Sequence, residues 1–371
     1  MAELLEWTED GLLGVPFEAA ELGAATLVRL AALSPAEPEE VEPVETSASA
    51  PETSGLCLSS EVSTVSTSYR GVVLHVHGYN DYFFQAHVAR ALAEAGYLFY
   101  AVDLRRAGRS LLRLQVTKGV QADGEPSDHA DAPVGFDVPH FVTDLRQQAT
   151  DIAAASAWLR EAHPGLPLVL HAHSTGGLTT ALWAHAHRHA TGFAAGPDAL
   201  ILNSPFLAGR GGKAARAVGT PVLQKMGPLR PLAELSHRPS HYAEALLPSG
   251  GGEWDFDTTL KRPDGLPIRA GWLVAVSRGQ ARVARGLAIG CPVLLAASTA
   301  SSKDAENNPD VHCSDSVLDA NAIVALAPRL GRDVTVLRVE GGVHDLSLSA
   351  EPARTEYLTG ALAWLDEHLP G

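Results

Sequence analysis

Three kinds of residue decide what chemistry this chain offers: a serine in a tight turn, a histidine in a glycine loop near the C-terminus, and the carboxylates between them. The serine is Ser174, in Leu168-Val169-Leu170-His171-Ala172-His173-Ser174-Thr175-Gly176-Gly177-Leu178. The run reads as a short apolar strand, a sharp turn carrying Ser174, and the start of a helix. That is the layout of a nucleophile elbow, usually written Gly-x-Ser-x-Gly. Small residues are needed two before and two after the serine, because the turn presses those positions against neighbouring backbone. Ala172 stands at the first glycine, the mildest departure from that demand. The pentapeptide alone is a weak signal; the flanking strand and helix strengthen it. The ordinary alternative is that Ser174 caps the helix.

A serine hydroxyl is a poor nucleophile at neutral pH. It needs a histidine to take its proton, a carboxylate to orient that histidine, and N–H donors aimed at the developing oxyanion. A strand ending in His75-Val76-His77-Gly78-Tyr79-Asn80-Asp81-Tyr82 precedes the elbow. Gly78 lets the backbone turn beneath a substrate, which makes the Tyr79 N–H one oxyanion donor. The Thr175 N–H, just after the serine, is the second. The histidine is His344, in Val339-Glu340-Gly341-Gly342-Val343-His344-Asp345, between the last strand and the last helix. The acid belongs in the long loop that follows the penultimate strand. It holds Asp304, Glu306, Asp310, Asp315 and Asp319. Asp315 is our choice. Asp319 is placed to cap the helix at Ala320–Ala327, and Asp304 and Asp310 are the reserves.

Other constellations carry less. His75 and His77 form a His-x-His pair, but Gly78, Tyr79 and Asn80 follow where a metallo-β-lactamase pattern needs further ligands, so no metal is expected. His185 and His189 share a helix face and read as a solvated helix end. Gly209-Arg210-Gly211-Gly212-Lys213 does not complete a phosphate loop. Trp254, Phe256 and Trp272 either line an acyl pocket or pack within their own segment. His77, His173, Trp254 and Trp272 are the candidate substrate contacts.

The elements that must position these groups alternate between strand and helix. Phe17–Leu22 and Ala24–Ala32 form a hairpin around Gly23. Strands follow at Gly71–His77, Tyr97–Leu104, Pro167–His173, Ala199–Asn203, Pro292–Ala297 and Val334–Val339. Helical periodicity runs over Phe83–Ala95, Val142–Ala162, Leu178–His189 and Thr355–His368. The expected class is α/β, with a mostly parallel sheet covered by helices on both faces. Between Asn203 and Cys291 the alternation stops, and this stretch, with a helix over Leu273–Gly286, reads as an inserted cap. The expected division is 1–33, an edge hairpin; 34–67, an acidic insertion; 68–205, the first part of the core; 206–289, the cap; and 290–371, the second part of the core. Between Ser34 and Ser54 there are six acidic residues, no basic residue and no aromatic one, a composition that predicts disorder.

Composition bounds the function. The chain has 371 residues, is 46% hydrophobic and carries a formal charge of −15. That charge argues against a nucleic-acid partner and against adhesion to anionic membranes. No apolar run is long enough to span a bilayer, and the acidic N-terminus does not read as a signal peptide. Cys57, Cys291 and Cys313 show no paired spacing and suit a reducing compartment, so a cytoplasmic location is expected.

Together these motifs resemble the α/β-hydrolase superfamily, in its monoacylglycerol lipase-like and serine aminopeptidase-like branch. The resemblance rests on His77–Asp81, His173–Gly177, Asp315–Asp319 and Gly341–Asp345. It also rests on Asp103-Leu104-Arg105-Arg106-Ala107-Gly108-Arg109-Ser110, which is similar to that branch's Asp-x-Arg-Gly-x-Gly-x-Ser loop with Arg106 at the first glycine. It covers Arg70 to the C-terminus apart from the cap. Two departures stand out: Ala172, and the long loop before Asp315. The resemblance implies hydrolysis of a carboxylic ester through an acyl-enzyme on Ser174, with Asp315 and His344 as partners and no cofactor. The same triad also serves lactone, amide or thioester hydrolysis and cofactor-free haloperoxidation, and the fold occurs in non-catalytic binding proteins.

Overall fold

The computed structural model describes residues 4–31, 69–119, 137–209 and 227–369. The expected acidic insertion, 34–67, lies outside them, as does most of the Gly209–Lys213 run.

One nine-stranded sheet organises the chain. Its strands are β1 (Thr8–Glu9), β2 (Phe17–Leu22), β3 (Ala25–Leu30), β4 (Gly71–Val76), β5 (Tyr97–Asp103), β6 (Leu168–His173), β7 (Ala199–Asn203), β10 (Val293–Ser298) and β11 (Val334–Val339). They lie in the order β1-β2-β3-β5-β4-β6-β7-β10-β11. The β2–β3 hairpin turns at Gly23, whose φ of +59° suits glycine. It pairs antiparallel onto β5. From β5 to β11 every pairing is parallel.

The central strands β4 and β6 are buried along their whole length. That follows from helices on both faces, and it is why these segments read as unbroken apolar runs. Along β4, Val72, Leu74 and Val76 face one core with Ile152, Leu159, Leu178 and Trp183. Val73 faces the other, with Val88, Leu92, Trp364 and Leu365. The first core is roofed by α3 (Arg146–Ala162) and α4 (Ser174–Ala186). The second is covered by α1 (Ala86–Glu94) and α8 (Ala353–His368). The edge strand β11 is only half covered, and it carries Thr335 and Arg338.

Strand order places the site. The chain leaves β4 through α1 toward β5, and leaves β6 through α4 toward β7 on the opposite side. Adjacent parallel strands whose connections diverge open a crevice at their C-terminal ends. His77 and Ser174 are the residues that follow or end those two strands.

Several elements differ from expectation. The elbow helix begins at Ser174 itself rather than at Leu178. The helix expected over Ala320–Ala327 is α7 (Ala320–Val324) followed by a tight turn, Ala327–Arg329. Helix α2 (Gly108–Gly119), over which no helix was assigned from sequence, grows directly out of the glycine-containing loop after β5. In that loop Arg106 takes φ +62°, the conformation for which the resembling pattern uses glycine. Between β7 and β10, the described residues add nothing to the large sheet. They form a two-stranded ribbon, β8 (Glu234–Ser236) with β9 (Ile268–Arg269), and the helices α5 (His241–Leu246) and α6 (Ala270–Ala284). No helix among the described residues is long and apolar enough to cross a membrane.

A buried charge cluster pins the N-terminal segment to this frame. The Arg109 guanidinium reaches Asp10 at 2.5 and 2.6 Å, Asp103 at 2.8 Å and the Phe83 carbonyl at 2.9 Å. Asp103 also accepts the N–H groups of Phe83 and Arg109, each at 2.9 Å. Removing one partner from such a cluster strands the rest without solvent. Arg109→Met is expected to lower unfolding stability by about 3–5 kcal/mol, read from urea midpoints. A loss below about 1 kcal/mol would mean the cluster is solvated in solution.

Candidate active site

Ser174 sits at the junction of β6 and α4 with φ +50°, a strained value for a residue with a side chain. Close packing enforces the turn. A Cβ on Gly176 would lie 2.2 Å from the His77 carbonyl oxygen, and one on Gly177 would lie 2.8 Å from Pro205 Cβ. Ala172, by contrast, lies inside β6 between Val76 and Leu202, where a methyl group fits the core. The departure from the usual motif therefore falls where it does least harm. Ser174 is the first helical residue, and its hydroxyl makes no cap.

The Ser174 Oγ lies 3.0 Å from His344 Nε2, and His344 Nδ1 lies 3.1 Å from Asp315 Oδ2. All three residues are buried. His344 is swung into place by Gly341, at φ +70°, and by Gly342, whose missing Cβ makes room for Leu346. Asp315 arrives by a detour. The chain leaves β10, bridges Ser301 to Asp315, and closes with the Asp315 N–H donating to the Ala300 carbonyl at 3.1 Å. Residues 303–314 thus form an excursion that returns to the strand end, which accounts for the unusual loop length. Asp315 Oδ1 accepts the N–H groups of Val317 and Leu318 at 2.9 and 2.7 Å. Burial pushes its carboxyl up, but His344 and these two amides outweigh that and hold it below its ordinary value. Asp319 and Asp304 have other partners, although Asp304 also lines the cavity above Ser174. Asp319 caps α7 through the Ala322 N–H, and Asp304 accepts the Tyr242 N–H.

A cavity of about 380 Å³ opens over these groups. Tyr79, His173, Ser174, Thr175, Trp272 and His344 line it. The Tyr79 ring packs 4.2 Å from Trp272. Two expected substrate contacts are placed away from it. His77 is buried beneath the turn, with Nδ1 donating to the Gly78 carbonyl at 2.8 Å and Nε2 accepting the Leu104 N–H at 3.0 Å. Both ring nitrogens are used by backbone, which fixes His77 in a scaffold position. Trp254 donates to the Leu348 carbonyl and lines a neighbouring cavity of about 370 Å³. A larger cavity, about 600 Å³, lies between α3, α4 and α6 and contains none of the three residues. His185 is engaged by Arg282 and the Ala288 N–H at the end of α4.

Three polar residues escaped the sequence reading. Asp345 is fully buried and accepts from Gln85, Asn203, and both the N–H and hydroxyl of Ser347. Burial pushes its carboxyl up, but His173, Ser347 and Lys261 bring it well below the usual range. Asp81 is paired with Lys261 at 2.9 Å, and both are buried. Asp81 and Asp345 both neighbour residues that were singled out, but nothing local announces burial; Lys261 had no signal at all. The ligand atoms of Asp81, His173 and Asp345 lie within 4.8 Å of one another. They do not fit a metal ion. Lys261 already neutralises Asp81, Asp345 is saturated with donors, and His173 Nδ1 contacts the Asn203 carbonyl at 3.1 Å.

Comparison with known proteins bears on the fold that carries this geometry. The family model described as serine aminopeptidase, S33, matches residues 67–247. A monoacylglycerol lipase from Paleococcus ferrophilus superposes with a TM-score of 0.54 at 18% identity, covering 81% of this chain and 95% of that one. The chain has the α/β-hydrolase fold. A soluble variant of the Saccharomyces cerevisiae monoglyceride lipase, solved with a substrate analogue, gives a TM-score of 0.53 at 15% identity over 98% of this chain and 96% of that one. A thermostable carboxyl esterase from Bacillus coagulans, solved with glycerol, gives 0.54 at 14% over 99% of each chain. No curated protein matches by sequence. At these identities the solved structures establish the fold.

Beneath this site lies a buried imidazole pair. His75 Nδ1 faces His171 Nδ1 at 2.8 Å, and His171 Nε2 meets the Tyr357 hydroxyl at 2.6 Å. Two nitrogens facing each other share one proton, so both rings cannot be charged there. Burial lowers His171 to about 4 and lowers His75 as well. The unfolded histidine titrates near 6.5. Below that pH the unfolded chain binds protons that the folded chain refuses, so stability falls as the pH drops from about 6.5 toward 4. His171 alone accounts for about 3 kcal/mol over that window. Urea midpoints measured from pH 7 to 4.5 should decline accordingly; a flat profile would contradict the buried, neutral pair.

Proposed function

We propose that this α/β-hydrolase cleaves carboxylic esters through an acyl-enzyme on Ser174. The observation that carries the reading is the unbroken chain from Ser174 Oγ through His344 to Asp315, 3.0 and 3.1 Å long, at the floor of the cavity. Ser174 Oγ attacks the ester carbonyl carbon while His344 Nε2 takes its proton. The carbonyl π electrons move to oxygen, where the N–H groups of Tyr79 and Thr175 receive them. Tyr79 suits this role because its N–H has no acceptor among the described residues. Thr175 lies in the first turn of α4, where helical N–H groups have no intrahelical partner. The tetrahedral intermediate collapses, the ester C–O bond breaks, and His344 returns the proton to the leaving alcohol. Water then repeats the sequence to release the acid and regenerate Ser174. Asp315 holds the Nδ1–H tautomer and stabilises the imidazolium.

Residues 227–289 act as the cap, since Ser236, Leu266, Ile268 and Trp272 complete the cavity wall above Ser174. Ester chemistry is favoured over amide cleavage because the structurally similar proteins are described as lipases and an esterase. The unpaired Cys291 and Cys313 are compatible with a reducing, cytoplasmic setting.

Ser174→Ala is expected to abolish fluorophosphonate labelling and to reduce p-nitrophenyl ester turnover about 10⁵–10⁶-fold. Asp315→Asn should cost about 10⁴-fold in kcat. Asp319→Ala should leave turnover near wild type while losing about 1 kcal/mol of stability as α7 loses its cap. A panel of esters, amides, lactones and thioesters ranks the substrate classes. Wild-type protein that folds but neither labels nor hydrolyses any of them would end the catalytic reading.

A further inference from the structure

Four consecutive residues after the Gly78 turn each bond to a single loop of the 227–289 segment. The Tyr79 hydroxyl donates to the Pro267 carbonyl at 3.1 Å. Asn80 makes a two-way bond with the Arg262 backbone, donating through Nδ2 at 2.8 Å and accepting through Oδ1 at 2.9 Å. Lys261 Nζ donates to Asp81 Oδ1 at 2.9 Å. The Asp257 N–H donates to the Tyr82 hydroxyl at 2.8 Å. The second oxygen of Asp81 reaches back to the Gly78 N–H at 3.5 Å.

These contacts fall where the backbone is least able to hold itself. Strand β4 ends at Val76, and the turn beyond it has no ladder to follow. Gly78 tolerates conformations closed to other residues, so the peptide joining it to Tyr79 has more than one orientation available. Asn80 is held at φ +55°, which asparagine tolerates and its paired bond to Arg262 secures. Lys261 is buried, with its ammonium 5.6–5.9 Å from the rings of Phe84, Tyr242 and Phe256. Such a cation is fixed in place rather than sampling solvent. An oxyanion hole works because its donors are aimed before charge develops. Here the aim is supplied across a gap of about 180 residues in the chain.

We propose that Asn80 and Lys261 are positioning residues that clamp the oxyanion turn to the 257–267 loop, so that the cap, and not the sheet alone, sets the direction of the Tyr79 N–H. The inference rests on the ester-hydrolase reading. It also means that the segment lining the substrate cavity is mechanically joined to the group that stabilises the transition state.

Substitutions at Asn80 and Lys261 separate the clamp from simple packing. Asn80→Gly keeps the left-handed backbone accessible and deletes both bonds to Arg262. Lys261→Met removes the ammonium, and the double variant Asp81→Asn/Lys261→Met avoids stranding a buried carboxylate. For each we would measure kcat per fluorophosphonate-titrated site, KM, the Ki of an alkyl boronic acid that forms a tetrahedral adduct on Ser174, and the unfolding midpoint. Loss of one oxyanion donor costs about 10²–10³-fold in kcat, so misaiming one should cost about 10–10²-fold. The boronic acid should weaken by a similar factor while KM stays within about threefold. Lys261→Arg, which keeps the charge, should recover much of kcat. Wild-type kcat per titrated site and wild-type boronic acid affinity in Asn80→Gly and the double variant would overturn the clamp, whatever happens to the midpoint. So would a loss confined to KM. Wild-type protein with no labelling and no turnover would remove the ester-hydrolase reading and the clamp with it; an active wild type beside unaffected variants removes the clamp alone.

Discussion

The geometry of this molecule depends on one backbone contact, the first turn of α4 against the end of β4. Gly176 lies so near the carbonyl oxygens of His77 and Val76 that a Cβ there would sit 2.2 and 2.9 Å from them. The contact forces the chain from strand to helix within one residue and lifts the Ser174 side chain out of the sheet. It also brings the turn after β4 beside the serine, since a Cβ on Gly78 would meet Ser174 Cβ at 3.0 Å. Ser174 and the Gly78 turn are thereby neighbours through backbone packing, before any side-chain bond is made. The strain at Ser174 persists because everything around it is close-packed.

Around that contact, buried polar groups are satisfied by partners from remote parts of the chain. Asp345 takes donors from Gln85 and Asn203. The Asp345 N–H donates to Tyr242, whose ring meets His344 edge-on at 5.6 Å. Asp103 and Asp10 share Arg109. Each pairing offsets the cost of desolvating a charge, and each ties two segments that the sheet does not connect. The His344 loop is thus braced from the 227–289 segment through Tyr242, as the Tyr79–Tyr82 turn is through Lys261. Both loops lean on the same segment.

Much of the frame was legible. The strands β4, β5, β6, β7, β10 and β11 read as apolar runs because they are buried on both faces, and Ser174 and His344 sit where the strand-end loops put them. Asp315 was one of several carboxylates in a long loop, and its selection rested on motif form. What distinguishes it physically is the return of that loop to the end of β10, a long-range pairing with no local signature. His77 and Trp254 show what residue type leaves open. Each is a plausible contact by type, but His77 spends both ring nitrogens on backbone and Trp254 turns toward Leu348.

What the sequence determined by itself was the alternation of elements, and with it the order in which a serine, an acid and a histidine must arrive at one edge of a sheet. Hydrophobic periodicity and glycine placement are local, and they survive in a linear reading. The tertiary structure alone decided which carboxylate meets His344, which aromatic residues face the cavity, and that Lys261 and Asn80 join the 257–267 loop to the turn after Gly78. Those outcomes turn on burial and on pairings between distant segments. A charged side chain looks the same in sequence whether it faces water or is enclosed, and only the packed chain separates the two.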